Sequence, residues 1–401
     1  MVILTLNCGS SSAKYQVYDW DNKEVMANGV VERIGIEGSC ITHKAKGKKT
    51  EIESPCPTHK EAIELIIKEI TDPEVGVIKS MDEISAVGHR VLHGGEKFTK
   101  SVLITPEVLD GFREVIDLGP LHMPANISGI IACQKAMPKV PQIAVFDTAF
   151  HATMPPKAFM YAIKYEDYEK YGIRKYGFHG TSHRFITYET AKVLGKPVDK
   201  VKLIIAHIGN GSSISAVNNG KIVDTTMGLT PLQGMVMGTR SGDVDASVVQ
   251  ALCKNKGYTV DEALNYLNKQ SGMLGISGVD SDMRVMEAES AKGNKRCRLA
   301  MEMVGYSARK FIGSYLAVLN GADAIVFTGG IGENGPITRQ DAVSDMENLG
   351  VCLDNERNFG GKRGEMKLIS TDDSKVKIFV IPTNEELMIA RDAKAISQKL
   401  K

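Results

Sequence analysis

The sequence predicts an α/β fold made of two similar domains, each built around a mixed sheet. One observation is a repeated hairpin, since an apolar strand, a turn of small polar residues and a second alternating strand occur at 3–18 and again at 203–217. Another is that each hairpin opens a run of strand patterns, after which helical and strand patterns alternate. The chain of 401 residues is also long enough for two hydrophobic cores.

The first half is predicted to begin with a strand meander and to continue with mixed helices and strands. The predicted strands are 2–7, 14–20, 24–33, 84–88 and 142–146, with a hairpin or exposed loop at 39–57. The predicted helices run from His59 to Ile70, at 106–117 and at 124–136. Two consecutive prolines, Pro155 and Pro156, then break the chain and place a domain boundary near 148–160.

The second half repeats this order of patterns. Its predicted strands are 201–207, 212–217, 221–226, 322–327 and 376–381. Its predicted helices are 243–254, 260–269, 280–291, 296–320 and a last helix from Asn384 to Lys399. The repetition indicates that the two halves are related folds.

Composition argues against several classes of function. Lys and Arg number 49 and Asp and Glu 48, so bulk charge does not favour a nucleic-acid or membrane-surface role. No apolar run reaches the roughly 18 residues of a membrane span, and no basic segment precedes the apolar N-terminus as in a signal peptide. Seven cysteines without a C-x-x-C pair indicate free thiols in a reducing compartment. We therefore expect a cytoplasmic protein with neither a nucleic-acid nor a membrane partner.

Three loops of small residues are suited to phosphate binding, because they present backbone N–H groups and hydroxyls with little side-chain bulk. They are residues 7–14 (NCGSSSAK), 207–213 (HIGNGSS) and 328–334 (TGGIGEN), and no Walker loop is present. A serine-rich hairpin with a surface lysine would explain the first loop alone, but its second copy favours phosphate contact. Cys8, inside the first loop, is expected to be a small filler residue.

Charged side chains at strand ends and between glycines are further candidates. Arg90 and Asp147 end two predicted buried strands, which is where the sites of α/β proteins gather. His179 and Arg240 each lie within a glycine-rich string. For Arg90 the alternative is a structural salt bridge, and for Glu385 it is a favourable interaction with the dipole of the last helix.

Other polar residues near these candidates have simpler structural interpretations. Thr181 or Ser182 is expected to cap the next helix, and Ser241 and Asp243 a later one. His122, a lone histidine before a predicted helix, fits a structural role by itself.

Taken in order, these strings resemble the acetate kinase family over the whole chain. The matching motifs are residues 7–14, 176–183, 238–243, 281–284, 328–334 and 383–386. The resemblance implies duplicated ribonuclease H-like domains of the actin, Hsp70 and sugar kinase superfamily, with mixed sheets and an interdomain ATP cleft. It also implies a first domain of residues 1–150 plus 384–401, a nucleotide-binding second domain of residues 151–383, and a homodimer.

The resemblance further implies a role for each site residue. Asp147, His179, Arg240 and His122 would be catalytic. Arg90 would hold acetate or acetyl phosphate, with the methyl group walled by Leu92, Leu121, Phe178 and Pro231. The nucleotide would contact Lys14, His207, Ile208, Gly209, Asn210, Gly211, Asp282, Met283, Arg284, Gly330, Ile331, Gly332, Glu333 and Asn334. Asn7 and Glu385 would hold Mg²⁺, with Mn²⁺ as an alternative metal.

The implied activity is reversible, Mg²⁺-dependent transfer of the γ-phosphoryl group of ATP to acetate, giving acetyl phosphate and ADP by direct in-line transfer. Because carboxyls titrate near about pH 4, acetate needs no base, and Asp147 is expected to orient Mg²⁺ or an Arg or His partner. Leu92 stands where the family usually has Val, which leaves the preferred acyl-chain length open.

Two other kinds of protein stay as alternatives at this point. One is a sister carboxylate kinase, either preferring propionate or butyrate or using pyrophosphate as the phosphoryl donor. The other is an ATP-gated module of the actin or Hsp70 type, which has no need for Arg90, His179 and Arg240 beside an apolar methyl pocket.

Overall fold

The computed structural model describes residues 1–120 and 122–400. The chain divides into two compact units, which are called unit 1 (residues 1–150 with 384–401) and unit 2 (residues 151–383). All seven cysteines are free thiols. Within the described residues, no helix combines the length and the apolar character needed to cross a membrane.

Unit 1, as far as it is described, contains an eight-stranded mixed sheet in the order β5-β4-β3-β2-β1-β6-β8-β7. Its strands are β1 Val2–Cys8, β2 Ser12–Asp19, β3 Glu24–Glu32, β4 Cys40–Ala45, β5 Lys48–Glu53, β6 Ile84–Val91, β7 Val102–Leu103 and β8 Gln142–Phe146. Its helices are α1 His59–Thr71, α2 Pro106–Glu114, α3 Met123–Ala136 and the C-terminal helix Glu385–Ser397. The central strands β1, β6 and β8 run parallel to one another.

Unit 2 contains a six-stranded mixed sheet in the order β11-β10-β9-β12-β14-β13. Its strands are β9 Lys202–Ile208, β10 Ser212–Asn218, β11 Lys221–Thr225, β12 Ala324–Thr328, β13 Lys367–Leu368 and β14 Lys377–Val380. Its helices are α4 Pro156–Phe159, α5 Tyr165–Tyr171, α6 Gly180–Val193, α7 Ser247–Lys256, α8 Val260–Lys269, α9 Gly272–Ser277, α10 Met283–Ala291, α11 Lys295–Leu319, α12 Gly329–Asn334, α13 Pro336–Val343 and α14 Asn355–Phe359. As in unit 1, the central strands β9, β12 and β14 are parallel.

The two sheets repeat one topology. The order β3-β2-β1-β6-β8-β7 of unit 1 corresponds strand for strand to β11-β10-β9-β12-β14-β13 of unit 2. Each series opens with an antiparallel meander, continues with parallel strands and ends on an antiparallel edge strand of two residues. This repetition confirms the predicted duplication of an α/β fold with mixed sheets.

The C-terminal helix packs directly on the sheet of unit 1. Gly88 of β6 permits the close approach, because a Cβ at that position would lie 2.5 Å from Cγ2 of Ile389 and 3.3 Å from Cβ of Ala393. Asn384 caps the helix by accepting a hydrogen bond from the backbone N–H of Leu387 at 2.9 Å. The cap and the glycine together fix where the acidic first turn of this helix meets the sheet.

The predicted meanders, the helix after residue 58 and the long α11 are confirmed to within a few residues, but two capping predictions are wrong. Thr181 and Ser182 lie inside α6, which begins at Gly180 after His179 in a left-handed conformation. Asp243 does not cap a helix, because its Oδ1 accepts from the backbone N–H of Gly234 at 2.9 Å. The helix predicted to start at residue 243 accordingly begins at Ser247.

Several short elements were not predicted. They are β7, β13, α4, α5, α9, α12, α13 and α14, each of two to eight residues. Segments of this length carry too few turns or alternations for a hydrophobic period to be recognised.

Candidate active site

A buried ion pair joins the carboxyl ends of two parallel strands in unit 1. Val91 of β6 pairs with Phe146 of β8, which brings the side chains of Arg90 and Asp147 together. Nε of Arg90 donates to Oδ1 of Asp147 at 2.9 Å, and Nη2 donates to Oδ2 at 2.6 Å. The side chain of Asp147 is 1% exposed and that of Arg90 is 23% exposed. The more accessible partner is therefore the cation.

The pair keeps the guanidinium charged and oriented. Burial lowers the pKa of Arg90, but the carboxylate of Asp147 outweighs burial and holds that pKa above its usual value. The fork-to-fork geometry occupies two of the five N–H donors of the guanidinium, so others are left for an anion. The salt-bridge interpretation of Arg90 and the expectation that Asp147 holds an arginine thus describe the same contact.

A small pocket opens beside this pair within unit 1. Asn7, Lys14, Arg90, Glu385 and Glu386 contribute its polar lining. Burial raises the pKa of Glu385 to about 7; Asp147 and Glu386 add to that effect, and Arg90 and Lys14 oppose it. Glu385 therefore does more than interact with the dipole of its own helix, since it faces a pocket of mixed charge.

The donor set of this pocket fits a hard divalent cation. Asn7 and Glu385 offer an amide and a carboxylate oxygen, the ligand type that Mg²⁺ prefers. Within residues 1–120 and 122–400, no cluster of three or more His, Cys, Asp or Glu side chains is arranged to hold a metal.

Asn126 of α3 ties the first phosphate-type loop to the end of β6, and the sequence analysis did not single it out. Its Nδ2 donates to the carbonyl of Cys8 at 2.6 Å, and its Oδ1 accepts from the backbone N–H of Leu92 at 2.9 Å. Leu92 is half-buried at the edge of a core cluster. His122 is the N-cap residue of α3, and Leu121 lies outside the described residues.

The environment of Cys8 is that of a buried, unreactive thiol. The thiol is buried, and burial raises its pKa to about 12. A thiol that stays protonated at neutral pH is a poor nucleophile, which fits the filler role expected for it.

In unit 2, two of the glycine loops meet at the carboxyl ends of adjacent parallel strands. His207 of β9 pairs with Thr328 of β12, so the segments that follow these residues are neighbours. Gly329 has φ of +77°, and a Cβ there would lie 2.9 Å from the carbonyl oxygen of Ile208. A Cβ on Gly209 would lie 3.9 Å from the backbone nitrogen of Gly330. The close approach of the two loops therefore requires glycine at position 329, whereas the distance at Gly209 is an ordinary contact.

Arg240 and His179 converge on the second glycine loop. A Cβ added to Gly211 would lie 3.3 Å from Nη1 of Arg240 and 3.5 Å from Nε2 of His179. Nη1 of Arg240 also donates to the carbonyl of Pro231 at 3.1 Å, which fixes the guanidinium. A cation and an imidazole nitrogen beside a bare glycine backbone form a small region suited to phosphate oxygens.

The remaining predicted nucleotide contacts occupy different environments. Asp282 caps α10 and pairs with Arg284, whose side chain is 85% exposed, while Met283 is buried in the core of unit 2. Glu333 accepts through Oε1 from the backbone N–H groups of Gly329 at 2.9 Å and Thr383 at 3.1 Å. Glu333 thus holds the third glycine loop to the end of unit 2.

Two further residues of the predicted set lie in unit 2. Phe178, predicted to wall the acetate methyl group, is 1% exposed. Nδ2 of Asn334 donates to the carbonyl of Gly330 at 3.0 Å within α12. Within unit 1, Asn7, Lys14, Arg90 and Glu385 line one pocket, and Asp147 pairs with Arg90.

Glycine loops at the strand ends of a repeated α/β fold, with Arg240 and His179 beside one of them, are suited to phosphoryl transfer. A model of the acetokinase family matches residues 2–391, and the chain belongs to that family. Acetate kinase from Clostridium novyi (strain NT) is 54% identical over 399 residues, covering 100% of this chain and 99% of that protein. Membership of the family confirms the predicted fold class and the prediction of a kinase.

Solved structures of relatives also place the chain among kinases of short carboxylic acids. Acetate kinase from Porphyromonas gingivalis has a TM-score of 0.94 at 46% identity, with 100% of both chains covered. A propionate kinase from Francisella tularensis subsp. tularensis SCHU S4 has a TM-score of 0.92 at 43% identity, covering 98% of this chain and 99% of that one. The chain is therefore similar to kinases named for two different short carboxylic acids.

Proposed function

We propose that the protein transfers the γ-phosphoryl group of ATP reversibly to acetate, giving acetyl phosphate and ADP. Arg90 of unit 1 binds the acyl group, and the glycine loops of unit 2 bind the nucleotide. The observation that carries the proposal is the placement of Arg240 and His179 around the bare backbone of Gly211, because phosphoryl transfer needs donors around the equatorial oxygens.

The acceptor is activated by position rather than by a base. Acetate is an anion at neutral pH, so its attack on phosphorus releases no proton. Arg90 binds the carboxylate, and Asp147 keeps the guanidinium in one orientation through two hydrogen bonds. Asp147 is therefore a group that orients Arg90, and no proton transfer is assigned to it.

Fixed hydrogen-bond donors stabilise the negative charge on the phosphoryl group. The transition state of such a transfer is loose, with negative charge on three equatorial oxygens. Arg240 supplies a cation that the carbonyl of Pro231 holds in place, and His179 supplies a ring nitrogen on the same glycine. The backbone of Gly209 and Gly330 provides close, side-chain-free approach for the rest of the polyphosphate.

Asn7 and Glu385 are the proposed ligands of Mg²⁺, with Lys14 beside them for the phosphates. When bound, the divalent cation neutralises phosphate oxygens of the nucleotide. Acetate and phosphate are both anions, and this lining of Lys14, Arg90 and a cation site lowers the cost of bringing them together. Replacing Mg²⁺ by Mn²⁺ in the assay, with EDTA as the control, tests which metal serves.

The experiment runs the reaction backwards. Purified protein is mixed with acetyl phosphate, ADP and Mg²⁺, and ATP is followed with luciferase. We expect ATP formation that Arg240→Ala abolishes while its circular dichroism stays unchanged. Loss of acetyl phosphate without ATP would contradict the proposal, because it would indicate a hydrolase or a different phosphoryl acceptor.

Direct transfer has its own test. With ATP that is chiral at the γ-phosphorus, a single in-line displacement inverts the configuration in acetyl phosphate. Retention of configuration would mean two displacements, and therefore a phosphorylated enzyme intermediate in place of the direct attack proposed here.

A longer acyl acceptor is the second candidate function, and Leu92 is the observation that bears on it. Leu92 is half-buried beside the core cluster that contains Phe146 and Met123, and its backbone is fixed by Asn126. A side chain larger than Val at this wall shortens the pocket, which favours acetate over propionate. A higher kcat/KM for propionate would instead place the protein with the propionate kinases.

We also propose that the protein is a cytoplasmic homodimer. The side chains of Leu299 and Tyr306, two helical turns apart on α11, are 48% and 62% exposed. Apolar side chains that recur on one exposed helix face are typical of a subunit interface. Light scattering after size-exclusion chromatography should give twice the chain mass, and a single-chain mass would refute the dimer.

A further inference from the structure

One serine hydroxyl is shared by two imidazoles in unit 2. Oγ of Ser213 lies 2.9 Å from Nδ1 of His179 and 2.8 Å from Nε2 of His183. Ser213 and His183 are both 0% exposed. Within the described parts of the chain, these ring nitrogens are the hydrogen-bond partners of that hydroxyl. A hydroxyl has one proton, so Ser213 donates to one ring and accepts from the other.

The direction of these bonds follows from His183. Burial lowers the pKa of His183 well below its usual value, and His151 and His207 add to the effect, so the ring is neutral. Its Nδ1 is buried and has no hydrogen-bond partner among the described residues. Because a buried N–H without an acceptor is rarer than a buried lone pair without a donor, the proton resides on Nε2. His183 therefore donates to Ser213.

The proton of Ser213 is then directed to His179. With its oxygen accepting from His183, the hydroxyl donates to Nδ1 of His179, and a nitrogen that accepts a hydrogen bond holds no proton. We propose that Ser213, backed by His183, is a positioning residue that fixes His179 as the neutral tautomer protonated at Nε2. Nε2 is the nitrogen that lies beside the Cβ position of Gly211.

The neighbouring ring of His207 also has a serine hydroxyl at its Nδ1, and this is an independent observation. Oγ of Ser182 lies 2.8 Å from Nδ1 of His207, and Oγ1 of Thr383 donates to that Oγ at 2.9 Å. The rings of His179 and His207 stack with centroids 4.3 Å apart. Two imidazolium cations would repel at this distance, whereas two neutral rings with hydroxyl donors at Nδ1 do not.

The kinetic consequence rests on the proposed function, although the tautomer itself does not. An Nε2–H fixed in advance donates to the transferring phosphoryl group without first moving a proton or turning the ring. Loss of the hydroxyl would leave His179 free to adopt the other tautomer, which presents a lone pair to the phosphate oxygens. Turnover should then fall more than substrate binding.

Nitrogen NMR tests the tautomer directly. The chain has nine histidines, so a protein labelled with ¹⁵N-histidine gives an interpretable set of ring signals. The spectrum of His179→Asn identifies the signals of His179 by their loss. We expect an unprotonated Nδ1 and a protonated Nε2 in the wild type, and Ser213→Ala should change that pattern. A protonated Nδ1 in the wild type, or an unchanged pattern in Ser213→Ala, would overturn the inference.

Kinetics provide a second readout with a matched control. Ser215 lies on the same face of β10, is 0% exposed and bonds to Thr225 and His151 rather than to His179. We expect Ser213→Ala to lower kcat by about 10-fold to 100-fold with KM little changed, the range found when a group that orients a metal-bound histidine is lost. Ser215→Ala should keep wild-type kcat, and Ser213→Thr should recover part of the loss.

The outcomes separate this inference from the proposed function. Equal losses of kcat in Ser213→Ala and Ser215→Ala would show a general packing effect and contradict the positioning role. A wild-type protein that does not phosphorylate acetate would contradict the proposed function, while the ring-nitrogen spectrum would still decide the tautomer of His179.

Discussion

Adding one methyl group at Gly211 should stop phosphoryl transfer without disturbing the fold. Gly211 is not among the glycines with positive φ, so alanine can adopt its backbone conformation. The new Cβ would lie 3.3 Å from Nη1 of Arg240 and 3.5 Å from Nε2 of His179. These are contact distances, so the methyl group of Gly211→Ala would touch both donors. A phosphoryl oxygen needs the same space, because it must come within about 2.7–2.9 Å of a charged nitrogen.

The magnitude follows from the loss of transition-state donors. Removing one such donor costs about 10²–10³ in kcat, or about 2.7–4 kcal/mol, and the methyl group of Gly211→Ala impedes two. We therefore expect kcat to fall by at least about 100-fold in the formation of acetyl hydroxamate from ATP, acetate and hydroxylamine.

The matched control is a second glycine-to-alanine change. A Cβ at Gly313 of α11 would meet nothing within 4 Å, so Gly313→Ala should keep kcat and stabilise the helix by about 0.5–1 kcal/mol. A Gly211→Ala enzyme with nearly wild-type kcat would refute the reasoning, because Arg240 and His179 would then not act on the phosphoryl group at this point.

Three other predictions concern substitutions at other positions. Arg240→Ala should lose about 10³-fold or more in kcat with normal circular dichroism, and activity near wild type would remove Arg240 from the mechanism. Leu92→Ala should raise kcat/KM for propionate relative to acetate, and an unchanged ratio would show that Leu92 does not wall the acyl pocket. Burial lowers the pKa of His89 from 6.5 to about 4, although a hydrogen bond to Gln142 partly opposes this shift. The unfolded chain therefore binds a proton at a higher pH than the native protein does, and the stability of the native state falls as the pH drops from 6.5 toward 4. His89→Gln should remove about 2 kcal/mol of the stability lost between pH 7 and pH 5, as measured by urea unfolding, whereas an unchanged pH dependence would show that His89 titrates normally.

The sequence was informative where a period repeats over several residues. The apolar run of β1, the alternation in β2 and the helical spacing in α1 and α11 predicted those elements, because each pattern continues over several residues. Short elements such as α9 and α12 could not be found this way, since their place depends on neighbours distant in sequence. At Asp243 a tertiary partner, the backbone N–H of Gly234, outweighed the local preference for a helix cap. At Thr181 the cap prediction failed because the helix already begins at Gly180.

Candidate site residues were predictable to the extent that they lie at strand ends or in glycine loops. Arg90 and Asp147 follow buried strands, and the parallel pairing of β6 with β8 brings them together. Their partners were harder to recognise. Ser213 reaches His179 across 34 residues and Asn126 reaches Cys8 across 118 residues, so these contacts exist only in the folded chain.

The most direct test of the proposed function is the acid specificity of phosphoryl transfer. Purified protein with ATP, Mg²⁺ and hydroxylamine would be assayed for hydroxamate with acetate, propionate and butyrate in parallel, and kcat/KM would be compared. We predict that hydroxamate forms and that kcat/KM is highest for acetate. A higher kcat/KM for a longer acid, or no hydroxamate with any acid despite ATP binding, would contradict the proposed acetate kinase activity.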